Sequence, residues 1–280
     1  MDITLLDHPA VQSGVAPFLV AFVIAGVFNR LSTFSGLAIV AGFAVSVMLS
    51  TGFAFEPLTS TRKITWLILV SSVLGLLMAF IVRQGNGIYA KAGMNLSFLL
   101  GGLALLWVVW PVLSRNPVEM MLPVAGYCIY AAWMVGVFYR LSETTALAAG
   151  AASTVVGFGA GLTALIGASA LLGQMGLALG AAAAAYLLVQ LLFAKENEAG
   201  FTVTLSSGFI GALVLPAAVV YAKAPWIVLP LIAIVPLIAF YPFEDDECIF
   251  KNTMALLVTM LIPVGIALYV TLQNAGEIMM

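Results

Sequence analysis

The sequence predicts an all-α polytopic membrane protein of about ten transmembrane helices, and three observations carry that expectation. Of 280 residues, 63% are apolar and only 8% charged, with a mean hydropathy of +1.16. A soluble domain carries about a quarter charged residues because its surface faces water, so the solvent of this chain is largely lipid. Charged residues and Gly/Pro/Asn clusters also cut the apolar stretches to about the 20 residues that a helix needs to cross a bilayer. Finally, these stretches do not alternate apolar with polar residues, as barrel strands would. Helices are then the required form, because backbone in lipid must satisfy its own hydrogen bonds.

The predicted spans are 14–29, 34–54, 64–82, 96–113, 120–138, 144–165, 173–193, 203–222, 226–243 and 254–272. The first follows an acidic segment, MDITLLDHPAVQSG. That segment lacks the positive region of a cleaved signal peptide, so the span is expected to be retained. Arg30 closes the first span, Arg62-Lys63 precedes the third, and Arg83 and Asn95 bracket the third and fourth. Arg115, Arg140, Lys195 and Lys223 follow the fourth, fifth, seventh and eighth spans. The run Glu244 to Glu247 separates the last two and reads as a solvated loop without calcium-loop spacing. The longest connections, 83–95, 55–63 and 243–252, are too short for a folded extramembrane domain. Residues 1–280 are therefore expected to form a single membrane domain. Trp66, Trp107, Trp110, Trp133 and Trp226 lie mostly near span ends, where indole is stable at the headgroup level.

Connections after odd-numbered spans hold six Lys/Arg residues and those after even-numbered spans hold four. The excess orients odd connections to the cytoplasm and both termini outside. A bacterial inner membrane is the expected location. A net charge of −2 and the absence of a basic run exclude nucleic acid as a partner.

Self-similarity suggests an internal repeat. Gly26 to Ala38, GVFNRLSTFSGLA, and Gly136 to Ala148, GVFYRLSETTALA, are identical at eight of thirteen positions with an offset of 110. The same offset places SFLLGGLAL (97–105) on SGFIGALVL (207–215). These matches predict parallel four-helix units at 14–113 and 120–223, followed by a helix pair at 226–272. In the shared G-V-F-x-R-L-S, Arg30 and Arg140 are expected to snorkel to lipid headgroups or another anion, and the Ser to cap the next helix.

Chemistry is sparse. No Asp, Glu, Lys, Arg or His falls within a predicted span, which argues against a buried proton relay. Gly167-Ala168-Ser169-Ala170 resembles part of the serine motif of rhomboid proteases. A serine nucleophile needs a neighbouring base, however, and the single histidine is His8 in the N-terminal tail. The two cysteines, Cys128 and Cys248, show no metal-type spacing. No enzymatic activity, cofactor or metal is therefore expected. The candidate substrate-binding residues are uncharged: Asn95 and Ser97, with Ser206 and Ser207 at matching places, and Gln174 and Gln190 on the seventh span. Pro216, Pro230, Pro236 and Pro263 fall within spans, where each removes a backbone hydrogen bond. Gly157/Gly161 and Gly176/Gly180 allow close helix contact, so the Gly/Ala-rich segment 144–193 is expected either to pack tightly or to meet partner helices. The function that fits is a transporter or permease for a small or uncharged solute, with an accessory or assembly subunit as the alternative.

Overall fold

A computed structural model describes residues 8–29, 31–53, 56–84, 87–193, 198–241 and 249–279. Every predicted span is built around a helix. In chain order the helices are α1 (Ala16–Val27, entered through a π-helical turn, Val11–Val15), α2 (Ser32–Ser35), α3 (Leu37–Ser50), α4 (Ser60–Gln84), α5 (Gly87–Leu113), α6 (Pro117–Leu141), α7 (Ala146–Ile166), α8 (Ala170–Phe193), α9 (Phe201–Ala222), α10 (Val228–Ile238) and α11 (Ile249–Met279). Seven of them, α4 to α9 and α11, are long and apolar enough to cross a membrane, whereas Val11–Val27, Leu37–Ser50 and Val228–Ile238 are shorter. Among the described residues the ten expected crossings thus correspond to seven long apolar helices and three shorter ones. At 1.5 Å per residue α10 rises only about 16 Å, half a bilayer core, and it carries Pro236 close to its end.

The centre is built from small residues. A Cβ on Gly157 of α7 would strike the backbone of Gly180 of α8, and one on Gly161 would strike Gly176 and Leu177. Of the two expectations for this segment, tight packing or partner helices, the Gly157/Gly161 and Gly176/Gly180 seam follows the first, closing within the chain. On the other side of α8, Gly42 of α3 lies against Ala182 and the Pro17 carbonyl of α1. Helix α9 is almost wholly buried, with α4, α6 and α7 as its main neighbours. Adjacent elements pair as α1/α3, α5/α6, α7/α8 and α10/α11. The apolar residues left exposed, such as Val118, Leu122 and Ile129 on α6 and Val258 and Ile262 on α11, lie on outer helices where lipid is the natural neighbour.

This packing gives no support to four-helix duplication at an offset of 110. Helix α1 packs closely along α3, but α6, its would-be counterpart, meets α7 very little, while α7 and α8 form the closest pair of all. The two similar segments also turn differently. Ser142 is the C-cap of α6, its Oγ donating to the Tyr139 carbonyl at 2.7 Å. The N-cap of α7 is instead Thr145, whose Oγ1 accepts from Ala148 N–H at 3.2 Å. In the first segment the equivalent position, Ser35, lies inside α2. The expectation that the Ser of the shared motif caps the following helix is corrected for Ser142. Arg30 and Glu244 to Glu247 lie outside the described residues.

Two ends of the bundle can be told apart. At one, Ala199 N–H before α9 donates to the Thr144 carbonyl before α7 at 3.0 Å, and the Arg140 guanidinium stands 5.8 Å from the Phe240 ring centre. At the other, Lys63, Trp107 and Tyr221 gather. Here a second sequence expectation is corrected, because α4 begins before its predicted span and carries Lys63 into its first turn. Lys63 is 7% exposed. Its ammonium donates to the Trp107 carbonyl at 2.9 Å and sits 5.1 Å from that residue's ring centre. Trp107 is four residues before Pro111, which lies inside α5 and has no N–H to offer that carbonyl. Lys63 thus supplies the donor that proline removed. Tyr221 and Ser60 add hydroxyl bonds to the next carbonyl, that of Val108, at 3.0 and 3.3 Å.

Candidate functional site

The interior of the half nearer Arg140 holds a layer of uncharged polar side chains. Helix α9 contributes Thr202, Thr204, Ser206 and Ser207 within its first two turns, all with no exposed surface. Helix α8 contributes Tyr186 and Gln190 in its last two turns, also with none. Ser71 of α4 and Ser153 of α7 are equally buried.

Helix geometry says which of these share a seam. Residues four apart lie on one face. Tyr186 and Gln190 are so related, and the Tyr186 ring lies 3.3 Å from where a Cβ on Gly150 of α7 would stand. Ser207 and Gly211 are related in the same way, and Gly211 lies against Val156 of α7. The Gln190 face and the Ser207 face therefore both turn toward α7. Ser206 shares its face with Thr202, which lies against Gly75 of α4 and Gly36 before α3. Ser71 is four residues before Gly75, so Ser206 turns toward the Ser71 side of α4.

Hydrogen bonding separates these groups further. The hydroxyls of Ser71, Ser153 and Thr154 donate to carbonyls of their own helices, Ile68, Ala149 and Gly150, each at 2.7 Å. The Tyr186 hydroxyl is directed toward Ser35 but makes no hydrogen bond of ordinary geometry. Ser206 Oγ, Ser207 Oγ and both amide atoms of Gln190 likewise find no hydrogen-bond partner in the protein. Each buried polar group left in this state costs about 1–3 kcal/mol. Thr163 Oγ1 is also unpartnered, but it lies near the opposite end of α7 and belongs to no such layer.

Of the six residues singled out in the sequence, Gln190, Ser206 and Ser207 are all fully buried in the half of the bundle nearer Arg140. Gln174 is half-buried near the start of α8, sixteen residues and about 24 Å from Gln190. It cannot share a site with Gln190. Ser97 of α5 is buried, whereas Asn95, two positions earlier and on nearly the opposite face, is exposed on the outside of the bundle. Arg140 is exposed at the end of α6, against Phe240 rather than in the interior. Tyr186, Thr202 and Ser71 were not singled out. Their signal was present in the Ser71-Ser72 pair interrupting an apolar run, and in the four-residue spacing of Tyr186 and Gln190.

The layer contains no carboxylate, amine, guanidinium or imidazole among the described residues. It can donate and accept hydrogen bonds through hydroxyls and one amide.

No protein-family model matches the chain, and no curated protein matches it either. What the residues support is a multi-pass helical membrane protein, argued from its own chemistry alone.

Proposed function

We propose that this protein is a non-enzymatic membrane carrier or permease for a small, uncharged, hydrogen-bonding solute, and that Gln190 and Ser207, on the α7 side of the layer, contact that solute, with Ser206 on its α4 side. The observation that carries this reading is the set of unpartnered hydroxyl and amide groups buried within helices that must satisfy their own polar groups in lipid. Apolar residues would pack there at lower cost, so polarity at these positions calls for a polar guest. Short and proline-interrupted helices beside long ones are the form in which transporters build sites inside the membrane. A cell membrane, with both termini outside, accords with the distribution of Lys and Arg along the sequence. The second reading, an accessory subunit, draws on the closeness of interior packing. Its partner surface would be the exposed apolar faces of α6 and α11, since the Gly/Ala seam is already filled.

The test uses purified protein in liposomes and solute entry followed by light scattering, with urea, acetamide and glycerol as probes. Entry of at least one of them is expected to exceed that in protein-free vesicles and to be lost in Gln190→Leu. Entry no faster than in protein-free vesicles for all three overturns the reading. The same variant is expected to unfold at higher temperature than the parent, gaining about 1–3 kcal/mol from removal of an unpartnered amide. A destabilised Gln190→Leu would mean that the amide is satisfied within the protein.

A further inference from the structure

The outer surface between α5 and α6 opens into a groove of about 540 Å³, whose lining includes Asn95, Leu99, Gly102, Leu103, Leu106 and Cys128. Its origin is local. The two helices are held together where Gly101 meets the Ala131 carbonyl and Gly136 lies under the Phe98 ring. At Gly102 only the Cys128 carbonyl and the Ala132 methyl come within 4 Å of a Cβ position, at 3.5 and 3.9 Å. The floor is therefore low, while Leu99, Leu103 and Ile129 rise as exposed walls, 59%, 51% and 70% accessible.

The length and the polar end of this groove identify its occupant. From Asn95 to Leu106 the helix rises about 16 Å, which matches the roughly 15 Å of one leaflet's hydrocarbon. Asn95 and Cys128 are the lining residues that are not hydrocarbon, and Asn95 stands at the end nearer the start of α5, some two turns below it. Lys91 is four residues earlier, exposed, and on the same face one turn closer to the membrane surface. A helical side chain leans toward the N-terminus of its own helix, so both polar groups lean outward along the groove, and the lysine can snorkel to the headgroups. One leaflet of carbon, an amide beneath the surface and an ammonium above it follow the order of groups in a glycerophospholipid.

We propose that the α5/α6 groove binds one acyl chain of an anionic glycerophospholipid, with the Asn95 amide donating to a glycerol-ester carbonyl and the Lys91 ammonium on the phosphate. This site faces lipid and is separate from the interior polar layer, so it stands whether or not the protein carries a solute. A choline headgroup brings its own cation into competition for the phosphate, and phosphatidylglycerol does not.

The experiment measures thermal unfolding of the full chain in detergent, doped with either phosphatidylglycerol or phosphatidylcholine of the same chains. The midpoint is expected to rise more with phosphatidylglycerol. Lys91→Gln should reduce that response to the phosphatidylcholine level, and Gly102→Leu should abolish the response to both lipids. Lys251→Gln, an exposed cation on α11 away from the groove, should leave the response unchanged. Equal responses to the two lipids in the parent overturn the proposal. So does a full phosphatidylglycerol response in Lys91→Gln, or an equal loss in Lys251→Gln, which would show a general surface-charge effect. If Gly102→Leu fails to fold, Lys91→Gln on its exposed site still decides the matter.

Discussion

Gly157→Leu is expected to abolish the folded protein, whereas Gly126→Leu is expected to leave it unchanged. Both glycines lie within or beside apolar membrane helices, and nothing in the residue type distinguishes them. Their surroundings do. Nothing lies within 4 Å of a Cβ position on Gly126, while Gly157 faces the backbone of Gly180 across the α7–α8 seam. A side chain that meets a flexible neighbour can be accommodated for about 1–3 kcal/mol. One that meets backbone must separate two helices, and α8 also carries α1 and α3 on its other side. The loss should therefore exceed about 3 kcal/mol, read as the disappearance of a monodisperse species in detergent and of a cooperative thermal transition. A folded Gly157→Leu of ordinary stability would mean that α7 and α8 do not meet as described.

The second large effect is expected at the other end of the bundle. Lys63→Met keeps the stem of the side chain but removes the donor to the Trp107 carbonyl, and should destabilise the protein by about 1.5–3 kcal/mol, the range for a hydrogen bond to a charged group. Pro111→Ala restores an N–H four residues after Trp107. In that background Lys63→Met should cost much less, because the carbonyl then has a helical partner. The double-mutant cycle isolates this coupling from the separate loss of the ammonium–indole contact. Equal costs of Lys63→Met in both backgrounds would contradict the pairing of lysine and proline.

The Lys63 site also shows where the sequence was legible and where it was not. Apolar runs revealed the position of every helix but the short α2, because span length and charge exclusion are properties of the bilayer rather than of packing. Helix ends were less readable. Arg62, Lys63, Lys91, Glu119 and Arg140 all lie within helices, because a helix continues into the headgroup region once its charged side chains can leave the hydrocarbon. A lysine at the edge of an apolar run gives no sign in sequence that a proline 48 residues later has freed a carbonyl for it. The match between 26–38 and 136–148 finds no support in the packing for a related reason. Both segments leave an apolar helix through the same interfacial chemistry, but Thr145 starts a new helix while Ser35 sits inside one.

The candidate site was legible in part. Gln190, Ser206 and Ser207 stood out as polar residues in apolar spans, and the structure buries all three. Asn95 stood out equally, and helical phase turns it outward to the α5/α6 groove. Composition identifies polar residues, but only the packing of α7 against both α8 and α9 shows which of them share an interior.

Cysteine accessibility at position 207 tests the central claim most directly. Ser207→Cys would be prepared with Cys128 and Cys248 replaced by serine, reconstituted in liposomes, and treated from each side with a membrane-impermeant methanethiosulfonate. Ser207 has no exposed surface in the structure, so reaction requires the interior polar layer to open to water. The account predicts modification from at least one side, with a Cys at the lipid-facing position 122 remaining unreactive. No modification at position 207 from either side would contradict a solute pathway through this layer.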